Sequence, residues 1–283
     1  MDETGKHSWA RALSPEGLSA PDAPRIAIIA AHPDDEAASA GSLIPFLNKG
    51  WLVHVTDGAP RDLVDAFANG ILTRSQYATA RNREARAALE VARFPEDRLI
   101  SMGLVDQEAS LDLAGLARAI CALIVRLGPD AVLTHPYEGS HPDHDATAFA
   151  VHAGAALLAR SPRHHDHSVP ELLEMAGHHA GAVGEPLRAR FLVPDGDPIV
   201  RTLGEKELTL KKRMIECFRT QRRMLHTFDL GVERYRAAIR YDFTLPPHSG
   251  KLHYEDVPWG MEEGRFIHLT REAMAALELE GTL

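Results

Sequence analysis

An apolar run that ends in a cluster of charged residues constrains this chain more than any other feature. Residues 26–31 have the sequence IAIIAA, and HPDDE follows at once over residues 32–36. The run has the length of a strand, and in open α/β sheets ligands bind at the carboxyl ends of the strands. It therefore predicts a buried strand that delivers one imidazole and three carboxylates to a ligand site.

A second cluster of the same kind lies further along the chain. Residues 131–134 form another strand-like run, AVLT, and HPDH follows over residues 141–144. Histidine nitrogens and carboxylate oxygens are ligands that zinc prefers, and a catalytic zinc site has three of them and one position for water. His32 and Asp35 lie three residues apart near an expected helix start, so both can reach one ion. With either histidine of the second cluster, they predict a metal-dependent hydrolase.

The composition excludes several classes of protein. A net charge of −9, without a basic stripe that interleaves with aromatic residues, argues against nucleic acid as a partner. No apolar stretch is long enough to span a bilayer, and the N-terminus lacks the apolar core of a signal peptide, so we expect a cytoplasmic location. Cys121 and Cys217 are expected to be free thiols. The expected partner is a small molecule, and a homo-oligomer is compatible with the sequence.

Strand-like and helix-like patterns alternate over residues 25–160. The expected strands are 25–31, 51–56, 98–102 and 131–135, and the expected helices are 37–49, 73–93, 111–127 and 143–160. Such alternation indicates parallel βαβ units. The sequence therefore predicts an α/β fold with a Rossmann-like, mostly parallel sheet and helices on both faces.

The pattern becomes irregular towards both ends of the chain. We expect a flexible arm over residues 1–23 and a single domain over residues 24–283. Within that domain, residues 24–160 form the core that carries the metal site, and residues 161–283 form an irregular C-terminal extension that lines the substrate pocket. The elements expected in this extension are strands 171–175 and 188–193 and a helix 205–225.

The two charged clusters resemble the hallmark motifs of the PIG-L/LmbE family of zinc-dependent N-acetylglucosaminyl deacetylases. Both motifs, AHPDDE at residues 31–36 and HPDH at residues 141–144, are complete and stand in the expected order. The resemblance covers approximately residues 25–160. It implies one zinc ion per chain and removal of an N-acetyl group from an amino-sugar conjugate, with release of acetate and a free amine. Other divalent ions such as Fe²⁺ are compatible with the same ligand types.

The resemblance also implies a role for each polar residue of the motifs. It implies Asp34 as the general base. It implies that a protonated His141 stabilises the oxyanion and that Asp143 orients this histidine. The zinc ligands that it implies are His32, Asp35 and His144.

Three further residues are candidates for contact with the substrate. Arg81 lies in an Arg-x-x-Glu pattern similar to one near the family's pocket, although a surface pair with Glu84 explains the pattern equally well. Asp57 follows a predicted strand, where it would bond a sugar hydroxyl or cap a turn. Tyr137 would donate a hydrogen bond to the oxyanion or lie exposed in its loop.

Two other functions compete with a sugar deacetylase. One is an amidase that cleaves a different acyl group from a larger thiol, antibiotic or lipid conjugate. The other is a non-catalytic zinc-binding or sugar-binding protein, against which the intact carboxylate of Asp34 argues.

The aromatic segment 248–259 is either a packed tail or a lid that stacks on sugar. The histidines that we expect in surface loops, and not in a second metal site, are His164, His165, His167, His178 and His179.

Overall fold

One mixed sheet organises the computed structural model, which describes residues 9, 11–161, 168–180, 186–192 and 197–283. The strands are β1 (Ile26–Ala30), β2 (Trp51–Thr56), β3 (Leu99–Leu104), β4 (Ala131–Thr134), β5 (Glu171–Met175), β6 (His178–Ala180), β7 (Pro186–Arg188), β8 (Ile199–Thr202) and β9 (Val232–Ala237). The main sheet has the order β3-β2-β1-β4-β5-β9-β8, and β6 pairs with β7 separately. Strands β1 to β5 are parallel, whereas β9 is antiparallel to both of its neighbours.

Helices cover both faces of this sheet. They are α1 (Pro15–Ser19), α2 (Asp35–Ala40), α3 (Val64–Ala68), α4 (Arg74–Val91), α5 (Leu113–Leu127), α6 (Pro142–Arg160), α7 (Glu205–Ile215), α8 (Arg222–Leu225) and α9 (Glu263–Ala276). One apolar core lies under α5, α6 and α9, and a second lies under α2, α4 and α7. Strand β1 contributes alternate side chains to both cores, because a central strand is buried on each face. The predicted α/β class and mostly parallel sheet are confirmed.

The strand order places the two charged motifs side by side. Strand β1 lies between β2 and β4, so the chain reverses its direction of travel across the sheet at this strand. Ligands bind at such a switch point, beyond the carboxyl ends of the strands. The first motif follows β1 and the second follows β4, and the two strands are paired directly, with Ile28 opposite Leu133.

Several predicted elements differ from the observed ones. The helix expected over 37–49 ends at Ala40 and is followed by a short 3₁₀ turn, Ile44–Phe46, where Pro45 has no N–H to donate. The helix expected over 205–225 stops at Ile215, and the buried side chain of Phe218 lies in the break. The strand expected over 188–193 is absent from residues 189–192, whereas the neighbouring segment 186–188 forms β7. Strand β9 was not predicted.

Part of the predicted N-terminal arm is packed against the domain. Leu13 and Leu18 are buried in the second apolar core. The Lys49 ammonium donates a hydrogen bond to the carbonyl of Pro21 at 2.6 Å. The described residues 11–23 thus contact the domain at these positions, and the division into an arm and a domain stays a prediction. None of the helices in the described residues has the length and apolarity to cross a membrane.

Candidate active site

Potential ligand atoms of three residues from the two motifs converge at the switch point. His32 Nδ1 lies 3.2 Å from His144 Nε2 and 3.3 Å from Asp35 Oδ2. The other carboxylate oxygen of Asp35 lies 3.3 Å from His144 Nε2. Ligands held about 2.1 Å from a tetrahedral zinc ion stand about 3.4 Å apart. His32, Asp35 and His144 therefore have the chemistry and the spacing to hold one zinc ion.

Local backbone geometry holds these ligands in place. The backbone N–H of His32 donates to Asp35 Oδ2 at 2.8 Å, and Asp35 is the first residue of α2. In the second motif, Pro142 begins α6, whose first turn presents His144. Proline suits the first helical position because its missing N–H would have no partner there. Each ligand thus lies where a strand passes into a helix.

Two carboxylates face the opposite nitrogen of His32. His32 Nε2 lies 3.1 Å from Asp106 Oδ1 and 3.3 Å from Asp143 Oδ2. Burial lowers the pKa of His32, but the carboxylates of Asp106, Asp143 and Asp35 outweigh it and raise that pKa well above its ordinary value. A histidine that binds metal through one nitrogen usually donates the other N–H to a carboxylate. The contacts of Nε2 thus match metal binding through Nδ1.

His32, Asp106, His141 and Asp143 also lie close enough together to be considered a second metal site. The oxygens of Asp143, however, already accept backbone hydrogen bonds from Gln107 at 2.6 Å and Ala109 at 3.1 Å. Asp143 is fully buried. This group of residues therefore fits better as support for His32 than as an independent ligand set.

Asp34 forms a buried ion pair beside the candidate metal ligands. Arg81 Nη1 donates to Asp34 Oδ2 at 3.0 Å, and each side chain is only 2% exposed. Burial raises the pKa of Asp34 to about 6, while Arg81 opposes the rise. Asp34 also has a φ of 145°, a strained backbone angle of the kind found at functional sites. This carboxylate is therefore suited to exchange a proton near neutral pH.

Gly58 allows Arg81 to reach Asp34. The Nε of Arg81 donates to the Gly58 carbonyl at 3.1 Å. A Cβ atom at Gly58 would lie 2.6 Å from that same Nε, and the φ of +64° is itself unfavourable for other residues. The alternative of a surface pair between Arg81 and Glu84 is wrong, because Glu84 instead accepts hydrogen bonds from the backbone and hydroxyl of Thr220.

His141 is arranged differently from the prediction. Its Nδ1 accepts a hydrogen bond from the backbone N–H of Asp143 at 3.1 Å, so this histidine caps α6. Burial, together with the charges of His32 and His144, lowers the pKa of His141 well below its ordinary value. A neutral His141 with Nδ1 as acceptor carries its proton on Nε2. This geometry corresponds to a neutral His141, and the Asp143 carboxylate faces His32. The catalytic roles of His141 and Asp143 stay predictions.

The other two predicted substrate residues are held by hydrogen bonds to groups outside the ligand cluster. Tyr137 is buried among aromatic side chains, including Tyr241 and Phe243, and its hydroxyl donates to the Leu245 carbonyl at 3.0 Å. Neither the oxyanion contact nor the exposed position expected for Tyr137 is observed. Asp57 accepts hydrogen bonds from Arg74 at 2.6 Å and from the backbone of Ala59 at 3.0 Å. It lines a surface cavity of about 430 Å³.

The sequence interpretation missed two residues that contact the ligand cluster. Asp106 follows β3, and His135 follows β4, so their positions at the carboxyl ends of parallel strands were the available signal. The ring of His135 stacks on that of His144, with centroids 4.1 Å apart, and its Nε2 accepts the Ala31 N–H. Burial lowers the pKa of His135 to about 4.

Of the loop histidines, His164, His165 and His167 lie outside the described residues, as do the side chains of His178 and His179.

Parts of the chain are similar to known proteins. Residues 27–155 match the family model described as "PIG-L: GlcNAc-PI de-N-acetylase". A relative from Bacillus anthracis, described as a probable N-acetyl-alpha-D-glucosaminyl L-malate deacetylase 2, is 26% identical over 165 residues, which cover 57% of this chain and 70% of the relative.

Solved structures share the fold. A triple mutant of a deacetylase from the teicoplanin biosynthetic pathway has a TM-score of 0.58 and 19% identity, covering 77% of this chain and 99% of that one. The 4-carboxy-2-hydroxymuconate hydratase GalB from Pseudomonas putida has a TM-score of 0.51 and 16% identity, covering 71% and 82%. Since one of these proteins is a hydratase, the fold alone does not identify the reaction. Residues 27–155, which include both motifs, form a segment that matches the PIG-L family of deacetylases.

Proposed function

We propose that this protein is a zinc-dependent hydrolase that removes an N-acetyl group from an N-acetylglucosamine-like amino-sugar conjugate. The products are acetate and a free amine. The observation that carries the proposal is the triangle of the residues His32, Asp35 and His144, whose facing atoms lie 3.2 to 3.3 Å apart in each pair, beside the buried carboxylate of Asp34. The N-acetylglucosaminyl substrate named for the Bacillus anthracis relative supports the choice of an amino sugar.

In this mechanism, His32, Asp35 and His144 hold the ion. A zinc ion at this position supplies positive charge that polarises the amide carbonyl and makes water more acidic. Arg81 holds Oδ2 of Asp34, which leaves Oδ1 to accept a proton from the attacking water. The Nε2–H of a neutral His141 donates a hydrogen bond to the oxyanion as the carbonyl becomes tetrahedral. Asp34 then returns its proton to the departing nitrogen, so that one water and one amide give one acid and one amine.

The test combines turnover with metal analysis. Purified protein loaded with zinc should release acetate from N-acetylated amino-sugar conjugates. Asp34→Ala should lower kcat by roughly 10²- to 10⁴-fold, the usual contribution of a general base, while retaining the metal. Asp97→Ala, at an exposed position before β3, is the matched control and should behave as wild type. Retained activity in Asp34→Ala would dismiss this mechanism.

A larger apolar conjugate is the second candidate substrate. Val64, Phe67 and Leu72 are 64%, 58% and 73% exposed, which is unusual for side chains of this size. They lie on or near α3, where burial raises the pKa of Asp65 and the charge of Asp106 adds to the increase, so α3 is close to the site. Faster turnover of long-chain acyl amides than of acetyl amides would select this alternative. Zinc binding without turnover across both sets would favour a non-catalytic protein.

The cytoplasmic location, the homo-oligomer and the division into 24–160 and 161–283 stay predictions from the sequence.

A further inference from the structure

The indole of Trp259 lies against His141. The two ring centroids are 4.3 Å apart, with an angle of 50° between the planes. Trp259 is partly exposed and lies well beyond residues 27–155, the part of the chain that matches the family model. This aromatic side chain is therefore an addition from the C-terminal extension to a site that the matched core builds.

The segment that carries Trp259 is tied directly to the loop before the second motif. The backbone N–H of His253 donates to the Gly139 carbonyl at 3.0 Å, and His253 Nδ1 lies 3.1 Å from the Ser140 carbonyl. Leu252 packs against Gly139, where an added Cβ atom would lie only 2.7 Å from the leucine side chain. These contacts give the segment a defined position beside His141.

The tail is anchored by several side chains besides the indole. Leu252, Tyr254 and Met261 are 1%, 0% and 4% exposed, and they anchor the segment in the apolar core. Trp259 also packs against this core, but it stays partly exposed and its ring lies against the imidazole of His141. A partly exposed indole at the edge of a polar site provides a flat apolar surface.

The surroundings of Trp259 match the two kinds of surface on a sugar ring. A pyranose has an apolar face of C–H groups and a polar edge of hydroxyls. Asp106, whose Oδ1 lies 4.0 Å from His141 Nε2, provides carboxylate oxygens that accept hydrogen bonds from hydroxyls. Small-molecule sites combine aromatic walls with a few polar groups in this way. Resting on the proposed function, we propose that Trp259 is the stacking wall of a sugar subsite, against which the pyranose of the N-acetylated substrate lies.

Fluorescence tests this subsite without requiring turnover. The chain has three tryptophans, so Trp9→Phe combined with Trp51→Phe leaves Trp259 as the single indole. Titration of this zinc-loaded protein with N-acetylglucosamine should give a saturable change in emission. The matched control is Trp259→Phe, which retains Trp51 at the amino end of β2, the opposite edge of the sheet, and should give no change.

Kinetics provide the second measurement. Trp259→Ala should raise KM for an N-acetylated sugar by about tenfold or more, with a smaller change in kcat, because the indole binds the sugar and does not take part in proton transfer. Trp259→Phe should recover most of the affinity, since a smaller aromatic ring still stacks. Zinc content should equal that of wild type in both variants.

The outcomes separate this inference from the proposed function. Normal acetate release with an unchanged KM in Trp259→Ala would overturn the subsite. The proposed deacetylase activity would still be supported. A lower melting temperature with an unchanged KM would assign Trp259 to packing alone and would also overturn it. A saturable emission change without acetate release would support the subsite while contradicting the deacetylase.

Discussion

Buried charges occur in two regions of this protein, and they are balanced in different ways. In the C-terminal region, Lys211 Nζ lies 2.7 Å from Glu233 Oε1, and both side chains are completely buried. The hydroxyls of Ser42 and Tyr235 donate to the other oxygen of Glu233. This group satisfies its own charge and hydrogen bonds, so its role is structural.

The candidate active site has no such balance. Its four carboxylates are those of Asp34, Asp35, Asp106 and Asp143. Arg81 pairs with Asp34, and the carboxylates around His32 raise the pKa of that histidine well above its ordinary value. Concentrated negative charge with little exposure is stabilised by a bound cation. A buried ion pair and a buried metal site therefore differ in charge balance. In the ion pair the charges compensate one another, and in the metal site they do not.

The largest change is expected when one candidate zinc ligand is removed. His144→Ala removes one atom of the ligand triangle, so zinc affinity should fall by more than about 100-fold and acetate release should fall to background. Competition with a chelator measures the affinity. His268→Ala, at a side chain that is 69% exposed on α9, is the control. Stoichiometric zinc at wild-type affinity in His144→Ala would contradict the assignment of this ligand.

The second effect concerns the buried ion pair of Lys211 and Glu233. Lys211→Met leaves the Glu233 carboxylate buried without its cation, and the free energy of unfolding should fall by about 3–5 kcal/mol. Denaturant titration measures the loss, with Lys212→Met at the exposed neighbouring position as the control. Because this pair is independent of the site, zinc affinity at a temperature where the variant is folded should match wild type. A weaker zinc affinity in the folded variant would break the distinction between the two regions.

The smallest effect concerns the ion pair between Arg81 and Asp34. Arg81 lowers the pKa of Asp34, which burial raises to about 6, so removal of the guanidinium should move that pKa upward. The unprotonated carboxylate is the active form, and the acid limb of kcat/KM should therefore shift to higher pH in Arg81→Gln. At neutral pH we expect a rate about tenfold lower. Arg81→Lys should recover part of the lost rate. Arg83→Ala, exposed on the same helix, is the control and should keep the wild-type profile. An unchanged acid limb in Arg81→Gln would show that the ion pair does not tune Asp34.

Elements that depend on local sequence patterns were predicted better than elements that depend on contacts between distant residues. Strands β1 and β4 and the motifs after them were predicted well, because an apolar run and the polar residues that follow it are local patterns. Strand β9 was missed because it contains Glu233 and Arg236, whose burial depends on Lys211 and on Glu174. Such partners lie on other elements, and hydrophobic periodicity does not reveal them.

The positions of the charged motifs, at the ends of two apolar strands, follow from the residue types and their spacing alone. The pairing of their side chains depends on the folded chain. It brings Asp143 to His32, 111 positions away in the chain, and it directs the hydroxyl of Tyr137 to Leu245. The physical reason is that a side chain's hydrogen-bond partner depends on which elements pack against it, and this packing is a property of the whole fold.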